Sequence, residues 1–231
     1  MAGNNNTTDI SETGLEKIIV DWLRDKNGYE QETPHAYNKE FALVDKWVES
    51  FLTETQREKV EQSMCFRSSS ERLKFFTRLR DAITKNGVTN VLRKGFKFNG
   101  VTFDLYYPLP SELNPSAKEA YKHNIFGVIR QVMYSKVNNN EIDFVIFING
   151  LPLATCELKN NYTGQTYENA IIQYRTDRDP KELLLQKKRC AVHFALDDSQ
   201  VWMCTALAGK DSWFLPFNQG KDGGAGNPVV E

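Results

Sequence analysis

The stretch from Ile142 to Lys159 constrains the fold of this chain most, because it combines a strongly apolar run with three charged side chains. It reads Ile-Asp-Phe-Val-Ile-Phe-Ile-Asn-Gly-Leu-Pro-Leu-Ala-Thr-Cys-Glu-Leu-Lys, and the Asn-Gly pair favours the positive backbone angles of a tight hairpin turn. Two apolar strands joined by this turn are therefore predicted. A charge within such a strand destabilises the fold unless it is paired, ligated or exposed in a cleft. Asp143, Glu157 and Lys159 thus indicate a functional site.

The chemistry of these residues depends on how the two strands pair. With a two-residue loop and regular pairing, Asp143 faces Cys156, and Glu157 lies on the other side of the sheet. With one more residue in the loop, or a β-bulge, Ile148 faces Pro152 and Asp143 faces Glu157. The same face would then also carry Val145, Phe147, Leu153, Thr155 and Lys159. We predict this second pairing, because two converging carboxylates supply the oxygen ligands that Mg²⁺ prefers.

Composition indicates an ordinary globular chain of 231 residues with a formal net charge of -1. That charge argues against gripping nucleic acid by bulk electrostatics but permits a local basic face. The longest apolar run, Phe144 to Ile148, is too short to span a membrane, and no signal-peptide pattern precedes it. A cytoplasmic location without membrane contact is predicted.

Cysteine and histidine patterns give little support to a zinc site or to nucleophilic catalysis. The cysteines, at positions 65, 156, 190 and 204, lack Cys-x-x-Cys spacing, which favours buried reduced thiols over zinc ligands or disulfides. The three histidines are far apart in sequence, and His193 lies in an apolar strand, as expected of a core histidine.

The chain divides into a flexible tail at 1–10, one domain at 11–218 with a helical subregion at about 38–86, and a Gly-rich linker at 219–231. The linker suggests that the chain is a fragment of a larger protein. Within the domain, predicted helices and strands alternate after Lys159, which implies a crossover connection. The predicted fold class is therefore α/β, with a central mixed β-sheet flanked by helices.

Local patterns give further expectations. Thr13-Gly-Leu-Glu16 has the form of a capping box, followed by apolar residues at helical spacing, namely Leu15, Ile18, Ile19, Trp22 and Leu23. Glu16 could serve only as a cap or could belong to the site. Strands are predicted at 88–92, 95–98, 101–107, 125–134, 191–196 and 201–205, and helices at about 167–176 and 181–187. Arg93, Lys94 and Lys97 could contact a phosphate backbone or form the polar face of a hairpin, and both explanations stay open.

The pattern of Asp143 followed by Glu157-x-Lys159 resembles the core of the PD-(D/E)xK nucleases. The chain as a whole, from Glu12 onward, resembles the N-terminal endonuclease region of the restriction (R) subunit of type I restriction-modification enzymes. The residues that carry the resemblance are 142–153, Cys156-Glu-Leu-Lys-Asn, 164–178, Val192-His-Phe-Ala-Leu, Phe214-Leu-Pro-Phe-Asn and 224–228. A restriction-endonuclease-like core is expected on this basis.

The resemblance implies roles for matching positions. Asp143 and Glu157 would ligate Mg²⁺ with the Leu158 carbonyl, Glu16 would reach the edge of the metal site, and Lys159 would orient the attacking water and stabilise charge on the phosphate. Gln173 matches the first residue of a Gln-x-x-x-Tyr motif, but position 177 is Asp, and the nearby tyrosine is Tyr174. Two arginines, Arg175 and Arg178, would contact phosphates or form ion pairs with Asp177 or Asp179.

The function implied by this resemblance is Mg²⁺-dependent hydrolysis of DNA phosphodiesters without sequence recognition, triggered by an ATP-driven motor that this chain lacks. Implied partners are double-stranded DNA and the methyltransferase and specificity subunits of the type I complex. Two alternatives remain, a stand-alone nuclease and a non-catalytic module that docks the motor onto the methyltransferase core. The docking module would be expected to lose at least one of Asp143, Glu157 or Lys159, and all three are present.

Overall fold

The computed structural model describes residues 11–110 and 114–217. The predicted tail at 1–10 and linker at 219–231 lie outside the described residues. The helices are α1 Glu12–Asn27, α2 Asp45–Thr55, α3 Arg57–Ser63, α4 Ser69–Asn86, α5 Val88–Lys94, α6 Pro115–Lys122 and α7 Tyr167–Thr176. The strands are β1 Glu30–Glu32, β2 Phe96–Phe98, β3 Val101–Phe103, β4 Phe126–Met133, β5 Glu141–Ile148, β6 Leu151–Leu158, β7 Val192–Leu196, β8 Val201–Cys204 and β9 Leu215–Pro216.

A seven-stranded sheet in the order β1-β4-β5-β6-β7-β8-β9 forms the centre of the fold. Strands β4, β5 and β6 pair antiparallel, whereas β6 and β7 pair parallel and are connected through α7. A parallel pair needs such a crossover because the chain must return to the end of the sheet at which the first strand began. The α/β class and the central mixed sheet predicted from the sequence are confirmed.

Helices cover both faces of this sheet. Because side chains alternate along a strand, Phe144 packs on one side with Val20 of α1, and Val145 packs on the other with Tyr174 of α7. A third cluster joins α2, α4 and α5 to the small β2–β3 hairpin and to Leu151 at the start of β6. The central hairpin β5–β6 is thus largely buried, except for Glu141 at the start of β5, which is exposed.

The turn of this hairpin forms at Asn149-Gly150, as predicted, with φ angles of 49° and 83°. A Cβ added to Gly150 would lie 2.4 Å from the Val44 carbonyl oxygen, so this position accepts only glycine without movement of the backbone. The close approach seats the turn against the start of α2, where the Val44 N–H donates to the Gly150 carbonyl at 2.8 Å.

Several local predictions were wrong. Helix α1 is capped by the Ser11 side chain, which accepts from the Gly14 N–H, so Thr13 and Glu16 do not form a capping box. The segment Val88–Leu92 is helical because its apolar residues at i, i+3 and i+4 all reach the core. Only a 3₁₀ turn, Leu183–Leu185, occupies the helix predicted at 181–187, and the short strands β1 and β9 had not been predicted.

The four cysteines are free thiols and all are buried, as predicted. Within the described part of the chain, every helix is too short or too polar to cross a membrane.

Candidate active site

A β-bulge places the two hairpin carboxylates opposite one another. Near the turn, Ile148 pairs with Leu151 as a two-residue loop requires, but the register shifts by one residue at Leu153. Beyond the shift Phe144 pairs with Cys156, so the next positions, Asp143 and Glu157, face each other. The predicted carboxylate pairing is correct. The expected pairing of Ile148 with Pro152 was wrong, and Leu153 packs with the α2–α5 cluster rather than beside Val145.

A second irregularity lies on the other side of Asp143, in β4. Arg130 pairs with Phe144 and Val132 with Ile142, so the residue between them, Gln131, lies across from Asp143 without pairing. Its φ is 50°, a left-handed conformation that residues other than glycine rarely adopt. Backbone strain of this kind is concentrated at functional sites. The sheet is therefore distorted on both sides of Asp143.

Glu157 is fully buried and only half satisfied. Its Oε1 accepts from Arg178 Nε at 2.6 Å, whereas Oε2 has no hydrogen-bond partner. Burial and the nearby charge of Asp143 raise the pKa of Glu157 to about 8, and the Arg178 guanidinium opposes that shift. A buried carboxylate with a free oxygen is a costly feature unless something else binds it.

Asp143 is held by the backbone that follows Glu157. Its Oδ2 accepts from the Leu158 N–H at 2.6 Å. Burial raises the pKa of Asp143 to about 6, against the opposing effects of that N–H and of the Lys159 charge. Burial thus favours the neutral form of both carboxyls more than the nearby cations favour the charged form.

Helix α1 brings two further carboxylates to this end of the sheet. Lys159 Nζ donates to Glu12 Oε1 at 2.7 Å, and Arg130 Nε donates to Glu16 Oε1 at 2.7 Å. Glu16 is 5% exposed and has no capping role, so its burial is explained only by the pair with Arg130. Sequence reasoning missed Glu12, although it lies four residues before Glu16 and hence on the same helical face.

The four residues predicted to contact DNA or support the site from α7 and the segment after it have different environments. Gln173 Oε1 is buried without a partner, whereas Tyr174 is a core residue whose OH lies 2.8 Å from Thr155 Oγ1. Neither arginine is free for a phosphate in this arrangement or paired with an aspartate at 177 or 179. Arg175 donates to the Ser212 carbonyl, and Arg178 is committed to Glu157.

His193 completes a buried hydrogen-bonded group with Thr155 and Tyr174. Its Nδ1 lies 2.7 Å from Thr155 Oγ1, and burial lowers its pKa to about 4, so the imidazole is neutral. The group lies under the hairpin in the same core cluster as α7. His193 is therefore buried as expected of a core histidine, but its Nε2 has no hydrogen-bond partner, so it is only partly satisfied.

The donor set at the site meets the needs of a divalent cation only in part. Across residues 11–110 and 114–217, no three His, Cys, Asp or Glu side chains come together as a group able to hold a metal ion. Glu16 is thus not a third carboxylate beside Asp143 and Glu157. The pair itself fits an oxygen-preferring cation, because Glu157 Oε2 is an unpartnered buried oxygen and both pKa values are raised.

Comparison with known proteins identifies a family for this chain but no curated relative. None of the curated proteins compared with the chain matches it. The model of the family Type I restriction enzyme R protein N terminus (HSDR_N) matches residues 9–212. That match includes both strands of the hairpin, α1 and α7, and the mixed sheet is consistent with a restriction-endonuclease-like domain. The chain therefore belongs to the family of type I restriction enzyme R protein N-terminal domains.

Proposed function

We propose that this domain is the Mg²⁺-dependent DNA endonuclease of a type I restriction R subunit. It hydrolyses phosphodiesters without sequence recognition of its own, and cutting is triggered by an ATP-driven motor outside this chain. The observation that carries the proposal is the unpartnered Oε2 of the fully buried Glu157, which lies across the hairpin from Asp143. DNA selection belongs to the specificity subunit of the assembled enzyme.

The ligand oxygens would come from Asp143 and Glu157, with the Leu158 carbonyl as a backbone ligand. Arg178 holds Glu157 Oε1 and thereby leaves Oε2 for the cation, and the Leu158 N–H fixes Asp143. When bound, Mg²⁺ supplies Lewis-acid polarisation of the phosphate and makes water more acidic.

Lys159 supplies the remaining positive charge at the site. Its ammonium group is held by Glu12 Oε1 at 2.7 Å, on the first turn of α1. A DNA phosphate is an anion that competes with Glu12 for this group, so substrate binding exchanges one anionic partner for another. In that position Lys159 stabilises the negative charge that develops on the phosphate.

The decisive experiment is nicking of supercoiled plasmid by the full R subunit assembled with its partners, in Mg²⁺ and ATP. We expect Glu157→Ala and Lys159→Ala to lower the cutting rate by at least ~100-fold while DNA binding and ATP-driven translocation persist. Glu141→Ala is the matched control, because Glu141 is an exposed carboxylate on the same strand as Asp143. Native rates of cutting in the Glu157 and Lys159 variants would overturn the proposal.

A second candidate is the docking module, which one observation favours. Glu157 pairs with Arg178, and Lys159 pairs with Glu12, so both charges have partners within the chain. On this hypothesis the ion pairs maintain a surface that joins the motor to the methyltransferase core. The same variants would then lose assembly of the complex, measured by analytical ultracentrifugation, and any complex that still forms would cut normally.

A further inference from the structure

Six exposed cations lie on helix α5 or on the segments next to it, and together they define what we call the basic surface. They are Lys85 at the end of α4, Arg93 and Lys94 on α5, Lys97 on β2, and Lys187 and Lys188 in the loop before β7. The Val88 N–H donates to the Lys188 carbonyl at 2.9 Å, which joins the loop to the start of α5. Lys97 points outward, because Phe96 and Phe98 on either side of it are buried.

Within residues 11–110 and 114–217, these cations form no ion pair with an acidic side chain. No Asp or Glu occurs between Ala82 and Phe103, or between Leu183 and Leu196. Among the ion pairs of the described residues, none involves any of the six. The first half of α4 differs, since Arg72 pairs with both Asp45 and Glu49.

Unpaired like charges repel one another and destabilise the fold, so their accumulation on one surface indicates an anionic partner. The chain as a whole has a net charge of -1, which makes this local excess of positive charge more distinctive. The outer face of α5 presents Thr89, Asn90, Arg93 and Lys94 together and lines a shallow open depression. Amide, hydroxyl and cationic groups side by side are suited to phosphate oxygens.

The basic surface is separate from the carboxylates. Helix α5 packs on the same cluster as Leu151 at the start of β6, and the Ala191 N–H donates to the Leu153 carbonyl at 2.8 Å. Glu157 lies near the other end of β6. The strand from Leu153 to Leu158 is ~17 Å long, which is about half a turn of duplex DNA.

We propose that the basic surface binds the sugar-phosphate backbone of duplex DNA away from the point of cleavage. Helix α5 is ~10 Å long, so it spans about three phosphates of one strand. Binding is sequence-independent and salt-sensitive. It does not depend on whether Asp143 and Glu157 hold a metal, so it is separable from the proposed nuclease activity.

The test is fluorescence anisotropy of a labelled random-sequence duplex titrated with the 231-residue chain in EDTA, over a range of salt concentrations. Lys85, Arg93, Lys94 and Lys97 are all replaced by Gln in one variant. The matched control replaces four exposed lysines that lie outside the basic surface and outside the ion pairs described, Lys17, Lys26, Lys118 and Lys210. Far-UV circular dichroism verifies that both variants keep the native fold.

We expect the basic-surface variant to bind at least ~10-fold more weakly at about 50 mM salt and to lose ~3 units from the slope of log affinity against log salt. The control should stay within about twofold of the native affinity. Equal losses in both variants would mean that only bulk charge matters and would overturn the proposal.

Two other results would also overturn it. The native chain could fail to bind duplex at low salt, or the basic-surface variant could bind as tightly as native. If the variant binds DNA normally but no longer assembles with the methyltransferase and specificity subunits, the surface docks an acidic protein instead. Because all anisotropy measurements are made in EDTA, a failure of the nuclease proposal would leave these outcomes unaffected.

Discussion

The two ends of the β5–β6 hairpin both bury polar groups, but they satisfy them differently. At the turn, Asn149 is 1% exposed and its side chain accepts from the Ile125 N–H and donates to the Leu105 carbonyl and to Asn124 Oδ1. At the other end, Glu157 is equally buried but has one oxygen without a partner. The buried side chain of Asn149 is fully hydrogen-bonded, whereas the unpartnered carboxylate oxygen of Glu157 is costly to bury unless a cation binds it.

Electrostatics separates the two ends in the same way. The turn contains neutral amides, so its hydrogen bonds are insensitive to pH near neutrality. The carboxylate end carries two acids with raised pKa values, about 6 for Asp143 and about 8 for Glu157. Mutation at the turn end should therefore change the free energy of unfolding by an amount that does not depend on pH. The contribution of the carboxylate end should depend on pH and on divalent cations.

The largest effect is expected at the turn. Asn149→Ala removes three buried side-chain hydrogen bonds, and we expect it to lower the free energy of unfolding by ~3 kcal/mol. Asn99→Ala is the matched control at the other Asn-Gly turn, where the side chain makes one bond, to the Ser63 carbonyl at 3.0 Å. It should lose ~1 kcal/mol. Urea denaturation measures both, and equal losses would show that the three bonds of Asn149 stabilise the fold no more than the single bond of Asn99.

The pH dependence of stability should single out the carboxylate end. The pKa of Glu157 rises from an ordinary 4.5 to about 8 on folding, so the folded state keeps a proton that the unfolded chain releases. Stability from this group is complete below pH 4.5 and is lost as pH rises through about 8. In EDTA, we expect the free energy of unfolding to fall by ~2 kcal/mol between about pH 6 and pH 9.

Glu157→Gln should flatten that slope, because the amide does not titrate. Asn149→Ala should lower the whole curve without changing its shape. A native domain whose free energy of unfolding stays constant between about pH 6 and pH 9 would show that the Arg178 pair outweighs burial, and the distinction between the two ends would then rest on geometry alone.

A divalent cation should restore part of the stability that the domain loses at high pH. A ligand that binds only the folded state stabilises it in proportion to occupancy, so about 10 mM Mg²⁺ should add ~1 kcal/mol near pH 8 if the dissociation constant is millimolar. Asp143→Asn and Glu157→Gln should abolish this gain, and EDTA should remove it. Glu141→Gln should retain it. Thermal unfolding with and without Mg²⁺ makes the measurement, and equal Mg²⁺ stabilisation of all variants would place the cation elsewhere.

The smallest effect is expected at Gln131. Its left-handed φ of 50° is strained for any side chain, and Gln131→Gly should relieve the strain for a net gain of ~0.5 kcal/mol. Met64→Gly is the matched control, because Met64 is a second left-handed residue, of φ 56°, at the end of α3. Nicking assays on the assembled enzyme would show whether the Gln131 conformation matters for cutting, since only that variant should then change the rate.

Sequence reasoning succeeded where a local pattern has one stable solution. The Asn-Gly turn, the helix at 167–176 and the facing of Asp143 and Glu157 are all present in the structure. It failed where contacts between residues distant in sequence determine the local structure. The sequence around Arg178 does not predict its pair with Glu157, which lies 21 residues earlier. The sequence around Gln131 likewise does not predict its left-handed backbone conformation.

The errors on the helices have similar causes. Ser11 and Thr13 are both acceptable caps, and the choice between them decides whether Glu16 is part of the cap or faces Arg130. Val88–Leu92 is rich in β-branched residues, yet its flanking glycines and its fit against α4 favour a helix. The roles of Asp143, Glu157 and Lys159 remain predictions, which the nicking assay tests.

The bulge at Leu153 means that this hairpin has two ways to pair with the same sequence. If the strands slipped into regular pairing, Cys156 would stand opposite Asp143, and Glu157 would turn to the face of the sheet that α1 covers. Removing Leu153 would abolish that alternative, because regular pairing would then itself place Glu157 opposite Asp143. Inserting one residue beside Leu153 would instead demand a larger bulge. In a library of length variants, active clones should therefore tolerate loss of a residue here better than gain of one.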